Sequence, residues 1–130
     1  MKRDAACPCG SALEYPACCG IYHAGLLAPP DAEALMRARY SAYVNNLESY
    51  LLATWHPDTC PVDLGMDTMP RPQWLGLEVR AHCVLDDQRA TVEFVARYKL
   101  NGRATRLHEI SRFTRTDGLW CYIDGDQPTA

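Results

Sequence analysis

Four cysteines crowd the first twenty residues as two close pairs, Cys7-Pro8-Cys9 and Cys18-Cys19, with eight residues between them. So short a stretch cannot bury a core of its own, and it must be ordered by something other than apolar packing. Adjacent and one-apart spacings give poor geometry for disulfides within each pair, whereas two pairs of soft thiolates suit a tetrahedral metal ion. The reading is one structural zinc held by Cys7, Cys9, Cys18 and Cys19. Four protein ligands would leave no open coordination position, so such a zinc holds structure and does not activate water. Gly10 and Gly20 flank the ligands, where tight turns and N–H groups aimed at sulfur disperse the charge of a four-thiolate site. His23 competes with Cys19 as fourth ligand, but the spacing favours the cysteine.

The other three of the seven cysteines, Cys60, Cys83 and Cys121, have no motif partner. They read as small buried side chains or, for Cys60, a loop thiol. The 130-residue chain carries a formal charge of −3, with no block of Lys or Arg, so it lacks the basic footprint of nucleic-acid binding. No apolar run approaches the ~20 residues that cross a bilayer, and Met1-Lys2-Arg3-Asp4 does not open a signal segment, so a cytoplasmic address is expected.

Beyond a head at 1–25, residues 26–130 form one body, helical to about His56 and strand-rich from about Trp74. Asp31 is placed to cap a helix with Glu33 in its first turn. Met36, Tyr40, Tyr43, Val44 and Leu47 make its inward stripe. Asn45-Asn46 ends that helix and caps a second one bearing Leu47, Tyr50, Leu51 and Trp55, which Pro57 stops. Residues 57–72 form a long proline-rich connection of the kind that serves as lid, rim or binding loop. Four strands follow: Trp74 to Leu85, Arg89 to Leu100, Arg103 to Thr116 and Leu119 to Asp124. Asn101-Gly102 and Asp117-Gly118 are two-residue hairpin turns, so Leu100 pairs with Arg103 and Thr116 with Leu119. Counting back places Phe94, Ala96, Tyr98, Leu107, Glu109, Ser111, Phe113, Trp120, Tyr122 and Asp124 on one face.

Cys7-Pro8-Cys9-Gly10-Ser11, then Tyr15 and Cys18-Cys19-Gly20, resembles the SEC-C motif, the zinc knuckle also found at the C-terminus of the SecA preprotein translocase. Ala34 to Tyr40, Thr54 to Pro57, Trp74 to Leu77, Val92 to Tyr98 and Leu107 to Phe113 resemble the YchJ-like family of small bacterial proteins. The resemblance covers nearly the whole chain and implies an α+β body similar to nuclear transport factor 2, a cone of helices on a curved antiparallel sheet. It implies no activity, the family being functionally uncharacterised. The chain departs from the motif at position 12, where Ala12 replaces the usual glycine and asks for a less unusual backbone angle. The intervening loop also lacks the lysines common in relatives.

Domains of this shape often enclose a cavity, so polar residues on the inward face are where ligand chemistry is sought. The pocket candidates are Tyr40, Trp55, Tyr98, Glu109, Ser111, Trp120, Tyr122 and Asp124. Glu109 is the one candidate acid or base, although pairing with Arg37 or Arg39 inside the core is the favoured alternative. His108 reads as a sheet-face residue beside Glu93 and Arg112, and His56 as serving helix-end carbonyls.

The functional expectation is a structural zinc protein whose body binds an unidentified small molecule or protein partner. Two others stay open: a lyase, isomerase or hydrolase using Glu109, and an adaptor presenting the knuckle to a secretion or ribosomal partner. Face-to-face sheet pairing makes a homodimer reasonable.

Overall fold

The computed structural model describes residues 6–66 and 71–128. The short helix α1 (Cys19–His23) closes the head, and α2 (Ala32–Val44) and α3 (Glu48–Ala53) follow. The strands β1 (Gln73–Asp86), β2 (Arg89–Leu100), β3 (Arg103–Thr116) and β4 (Leu119–Asp126) make one antiparallel sheet in sequential order.

Helix α2 starts where the capping argument puts it, the Asp31 carboxylate accepting from Ala34 N–H at 2.8 Å. Its apolar stripe meets the sheet: Leu35, Met36 and Tyr40 pack on Val92, Phe94, Phe113 and Trp120 as the main core. The opposite side is buried as well, because the head covers Ala38. A helix wrapped on two sides needs no clean amphipathic split. The helix ends at Asn45, with Asn46 at φ 58°. The cap of α3 is Leu47 and not Asn46, and no side chain caps it. Trp55 lies past α3 and forms a parallel bridge with Tyr122, tying the helical layer to the edge strand. The described parts of the 57–72 connection carry no helix or strand, and the rest of that expected rim, 67–70, lies outside the described residues.

Both hairpins turn on the dipeptides read from the sequence, with Asn101, Gly102, Asp117 and Gly118 all at positive φ, and Leu100 pairs with Arg103 and Thr116 with Leu119. The register between β2 and β3 runs unbroken from Leu100–Arg103 to Arg89–Thr114. Curvature comes from elsewhere: β1 carries three register shifts, after Trp74, Val79 and Val84, each an irregularity that bends a strand. The sheet thereby curls around α2 and leaves a space between them.

Candidate functional site

The head is built by backbone turns that place sulfur. Cys7 N–H donates to the Leu13 carbonyl at 2.8 Å, and Gly10 N–H to the Cys7 carbonyl at 3.2 Å, which folds Cys7 and Cys9 to one side. Gly10 adopts φ 84°, open to glycine at little cost. Gly20 is needed for a different reason, since a Cβ there would sit 2.7 Å from the Tyr15 carbonyl oxygen. Ala12 adopts φ 70°, so the expectation of an ordinary angle at this position is wrong. The tight return from Cys9 to the Leu13 carbonyl demands the left-handed conformation whichever residue is there.

These turns bring the four sulfurs within 4.8 Å of one another, with Cys9 and Cys18 at 3.6 Å. Tetrahedral coordination at Zn–S ≈ 2.3 Å would set sulfurs about 3.8 Å apart, so the cluster fits one metal ion after slight contraction. Cys9 is fully buried, and the thiol of Cys19, with help from Ser11 and Cys7, pulls the Cys9 pKa down to about 4 against its burial. The same contact with Cys9, together with burial, pushes Cys19 up. His23 is not part of it: Nε2 donates to the Ala38 carbonyl at 2.7 Å, leaving Nδ1 to accept from the Tyr15 hydroxyl at 2.5 Å. The head therefore grips α2 through His23 at Ala38, through Cys7 against Ser41 at 3.5 Å, and through Arg37, which donates to the Cys9 carbonyl at 2.7 Å.

The other face of α2 roofs a cavity of about 260 Å³. Met36, Tyr40 and Tyr43 line it from the helix, Trp74 and Phe94 from β1 and β2, and Leu107 and Phe113 from β3. Its polar groups are few. Glu109 Oε2 accepts from Ser111 at 2.5 Å and from the Tyr122 hydroxyl at 3.2 Å. Burial first, and then the Glu109 carboxylate, push the Tyr122 phenol up, which keeps it a donor. Arg39 also lines the cavity, though it is only 6 % exposed. Its Nη1 donates to the Leu51 carbonyl and to Thr54 Oγ1, both at 2.8 Å, and its guanidinium carbon lies 4.9 Å from the Trp55 ring centre and 4.6 Å from that of Tyr122. Burial lowers the Arg39 pKa, partly offset by the tyrosines around it and by Glu109.

A fold of this shape with a cysteine head has known counterparts. Residues 31–125 match the family model described as the middle, NTF2-like domain of YchJ. The chain belongs to the YchJ-like, UPF0225 family. A UPF0225 protein of Cupriavidus pinatubonensis is 57 % identical over 92 % of this chain and 87 % of its own length, and one of Bordetella parapertussis is 56 % identical over 96 % and 95 %. The solution structure of a SEC-C motif containing protein from Rhodopseudomonas palustris superposes with a TM-score of 0.83 at 31 % identity, covering 95 % of this chain and 98 % of that one. A SEC-C protein from Psychrobacter arcticus gives 0.74 at 29 % identity, over 95 % and 83 %. This UPF0225 chain thus shares the SEC-C-like cysteine head and the NTF2-like body that its sequence resembles. Among its described residues no helix is long and apolar enough to cross a membrane.

Within this UPF0225 body, Tyr40, Trp55, Glu109, Ser111 and Tyr122 meet around the cavity, and three other pocket candidates do not line it. Asp124 is turned to the opposite face by a bulge: Phe113 pairs with Tyr122 but Arg112 with Asp124, so Ile123 is the extra residue. There Asp124 accepts from Arg112 Nε at 2.6 Å. The bulge also brings Gly125 opposite Ser111, where any Cβ would collide with the Glu109 carboxylate. Trp120 faces inward but is packed in the core. Tyr98 packs against Trp74 with the rings tilted and their centres 5.3 Å apart. The expected pairing of Glu109 with an arginine does not occur among the described residues, since Arg37 is taken by Glu33 at 3.0 Å and Arg39 by Leu51 and Thr54. His108 pairs with Glu93 at 2.7 Å on the outer face, and His56 accepts from Asp58 N–H instead of serving helix carbonyls. Cys83, read as buried, is exposed on β1. The cavity role of Arg39 was missed, although it lies three residues after Met36 and four before Tyr43, and a charge on an apolar helical stripe is the signal that marks it.

Proposed function

We propose that this protein binds a small molecule in the cavity under α2, and that a structural zinc in the head fixes α2 in place. What carries the reading is the cavity itself, an aromatic-lined space interrupted by a buried guanidinium and a carboxylate. Ligand sites combine an apolar lining with few convergent polar groups in this way, and about 260 Å³ lies just below their usual ≈ 300–1,000 Å³ range, so the guest must be small. Four sulfurs, with no fifth His, Cys, Asp or Glu ligand grouped with them among the described residues, and the soft ligand set favour zinc in a closed tetrahedron. The polar grip of the head on α2 makes the metal a brace for the cavity roof.

The experiment is amide NMR of the metal-loaded protein titrated with benzyl alcohol, a neutral ring of fitting size. Shifts confined to Tyr40, Tyr43, Phe94, Leu107 and Tyr122 are expected. Their absence at millimolar concentration contradicts the reading.

One observation favours a second reading, an enzyme with Glu109 as acid or base. Glu109 has no cationic partner within ion-pair distance among the described residues, and its Oε2 is oriented by Ser111 and Tyr122. That arrangement would position a carboxylate against a bound molecule, with the Ser111 hydroxyl beside it, while the sequence carries no nucleophile motif.

A further inference from the structure

The cavity wall around Tyr122 holds two opposite charges that do not neutralise each other directly. The face of the Tyr122 ring lies under the Arg39 guanidinium, and its hydroxyl donates to Glu109. Both hydrogen bonds of Arg39 come from Nη1, and no bond from Nε or Nη2 is formed among the described residues. The buried indole N–H of Trp55, whose ring lies on the same guanidinium, also lacks an acceptor. An acceptor beside Arg39 would pair the buried Trp55 N–H and could engage Nε and Nη2 of the guanidinium, because buried donors are ordinarily paired. On the Glu109 side the shortage is reversed: among the described residues both hydrogen bonds fall on Oε2 and none on Oε1, while Gly125, opposite Ser111, leaves room for the carboxylate to pack against its backbone.

Resting on the cavity reading above, we propose that the ligand is a free α-amino acid with an apolar, ring-sized side chain. Its planar carboxylate docks on the free edge of Arg39 and its ammonium on Glu109. A guanidinium matches a carboxylate with two parallel N–H bonds, which an ammonium ion cannot do. The two charges of an amino acid are carried on groups attached to one carbon, which suits two charged groups linked by a single tyrosine ring. A zwitterion also leaves no net charge in the filled site, whereas a simple acid or amine would bring an unbalanced charge into an apolar space. Tyr43, Phe94, Leu107 and Phe113 are left for the side chain.

Four matched probes test this by NMR or calorimetry on metal-loaded wild-type protein: L-phenylalanine, 3-phenylpropionate without the amine, 2-phenylethylamine without the carboxylate, and benzyl alcohol with neither charge. L-Phenylalanine is expected to bind about tenfold or more tightly than each singly charged analogue, the scale of one hydrogen bond to a charged group. Arg39→Gln should abolish its advantage over 2-phenylethylamine, and Glu109→Gln its advantage over 3-phenylpropionate. The wild-type ranking stands without either variant should one fail to fold. If benzyl alcohol shifts the cavity residues but L-phenylalanine binds no better than the single-charge probes, the amino-acid proposal is overturned and the cavity reading survives. If none of the four binds, both fall.

Discussion

In the head, four sulfurs converge within a small cluster that Ala38, Tyr15, Tyr22, Tyr50 and Leu77 pack against, and contact with Cys19 lowers the pKa of the buried Cys9 thiol. Across α2, about ten buried side chains form a conventional core, yet Arg39 and Glu109 sit beside it without meeting. The head solves the cost of buried charge by converging like groups on one point, which only a cation can complete. The cavity keeps unlike groups apart, and the proposed ligand would complete it. The same helix carries both solutions on opposite faces, so the order of one site bears on the shape of the other.

The largest effect should come from removing the point of convergence. Cys9→Ser, or stripping the metal with a strong chelator, should disorder the head, since apparent binding energies of structural zinc are about 10–16 kcal/mol at neutral pH. The amide spectrum of residues 6–25 should collapse to random-coil positions, and benzyl alcohol should bind more weakly as α2 loses its grip. An unchanged affinity would separate the two sites. Next is Gly125→Ala, which forces a methyl into the Glu109 carboxylate and should cost about 1–3 kcal/mol in urea unfolding, the range for overpacking. Gly76→Ala, on the same sheet with open space around it, is the matched control and should cost nothing. Ala12→Gly should stabilise the head by about 1 kcal/mol by relieving the left-handed alanine. The smallest effect belongs to the outer face, where Arg112 holds the Asp126 carboxyl below its ordinary range. A carboxylate with a lowered folded pKa adds stability above its ordinary range and loses it as pH falls through the folded value. Asp126→Asn should therefore alter thermal stability slightly at neutral pH and not at all in strong acid.

The head was legible because its information is local. Ligand identity, spacing and the glycine at position 10 lie within fourteen residues, and the sequence order is nearly the spatial order. Strand register was legible for the same reason, because Asn101-Gly102 and Asp117-Gly118 fix it from the turns outward. It failed where a non-local event intervened. One extra residue at Ile123 carries Asp124 to the other face, and nothing in Tyr122-Ile123-Asp124-Gly125 announces a bulge. Trp120 and Tyr98 were placed on the correct side of the sheet, but whether an inward residue fills the core or borders a cavity depends on α2 above it. Arg39 was weighed only as a partner for Glu109. Thr54 and the Leu51 carbonyl, which hold it instead, come from the end of α3.

Most depends on the zinc proposed for the head. The direct measurement is zinc content together with zinc-edge X-ray absorption on protein purified without chelator. One zinc per chain with four sulfurs at about 2.3 Å is the predicted result. A folded protein with negligible metal and four freely reactive thiols would contradict it.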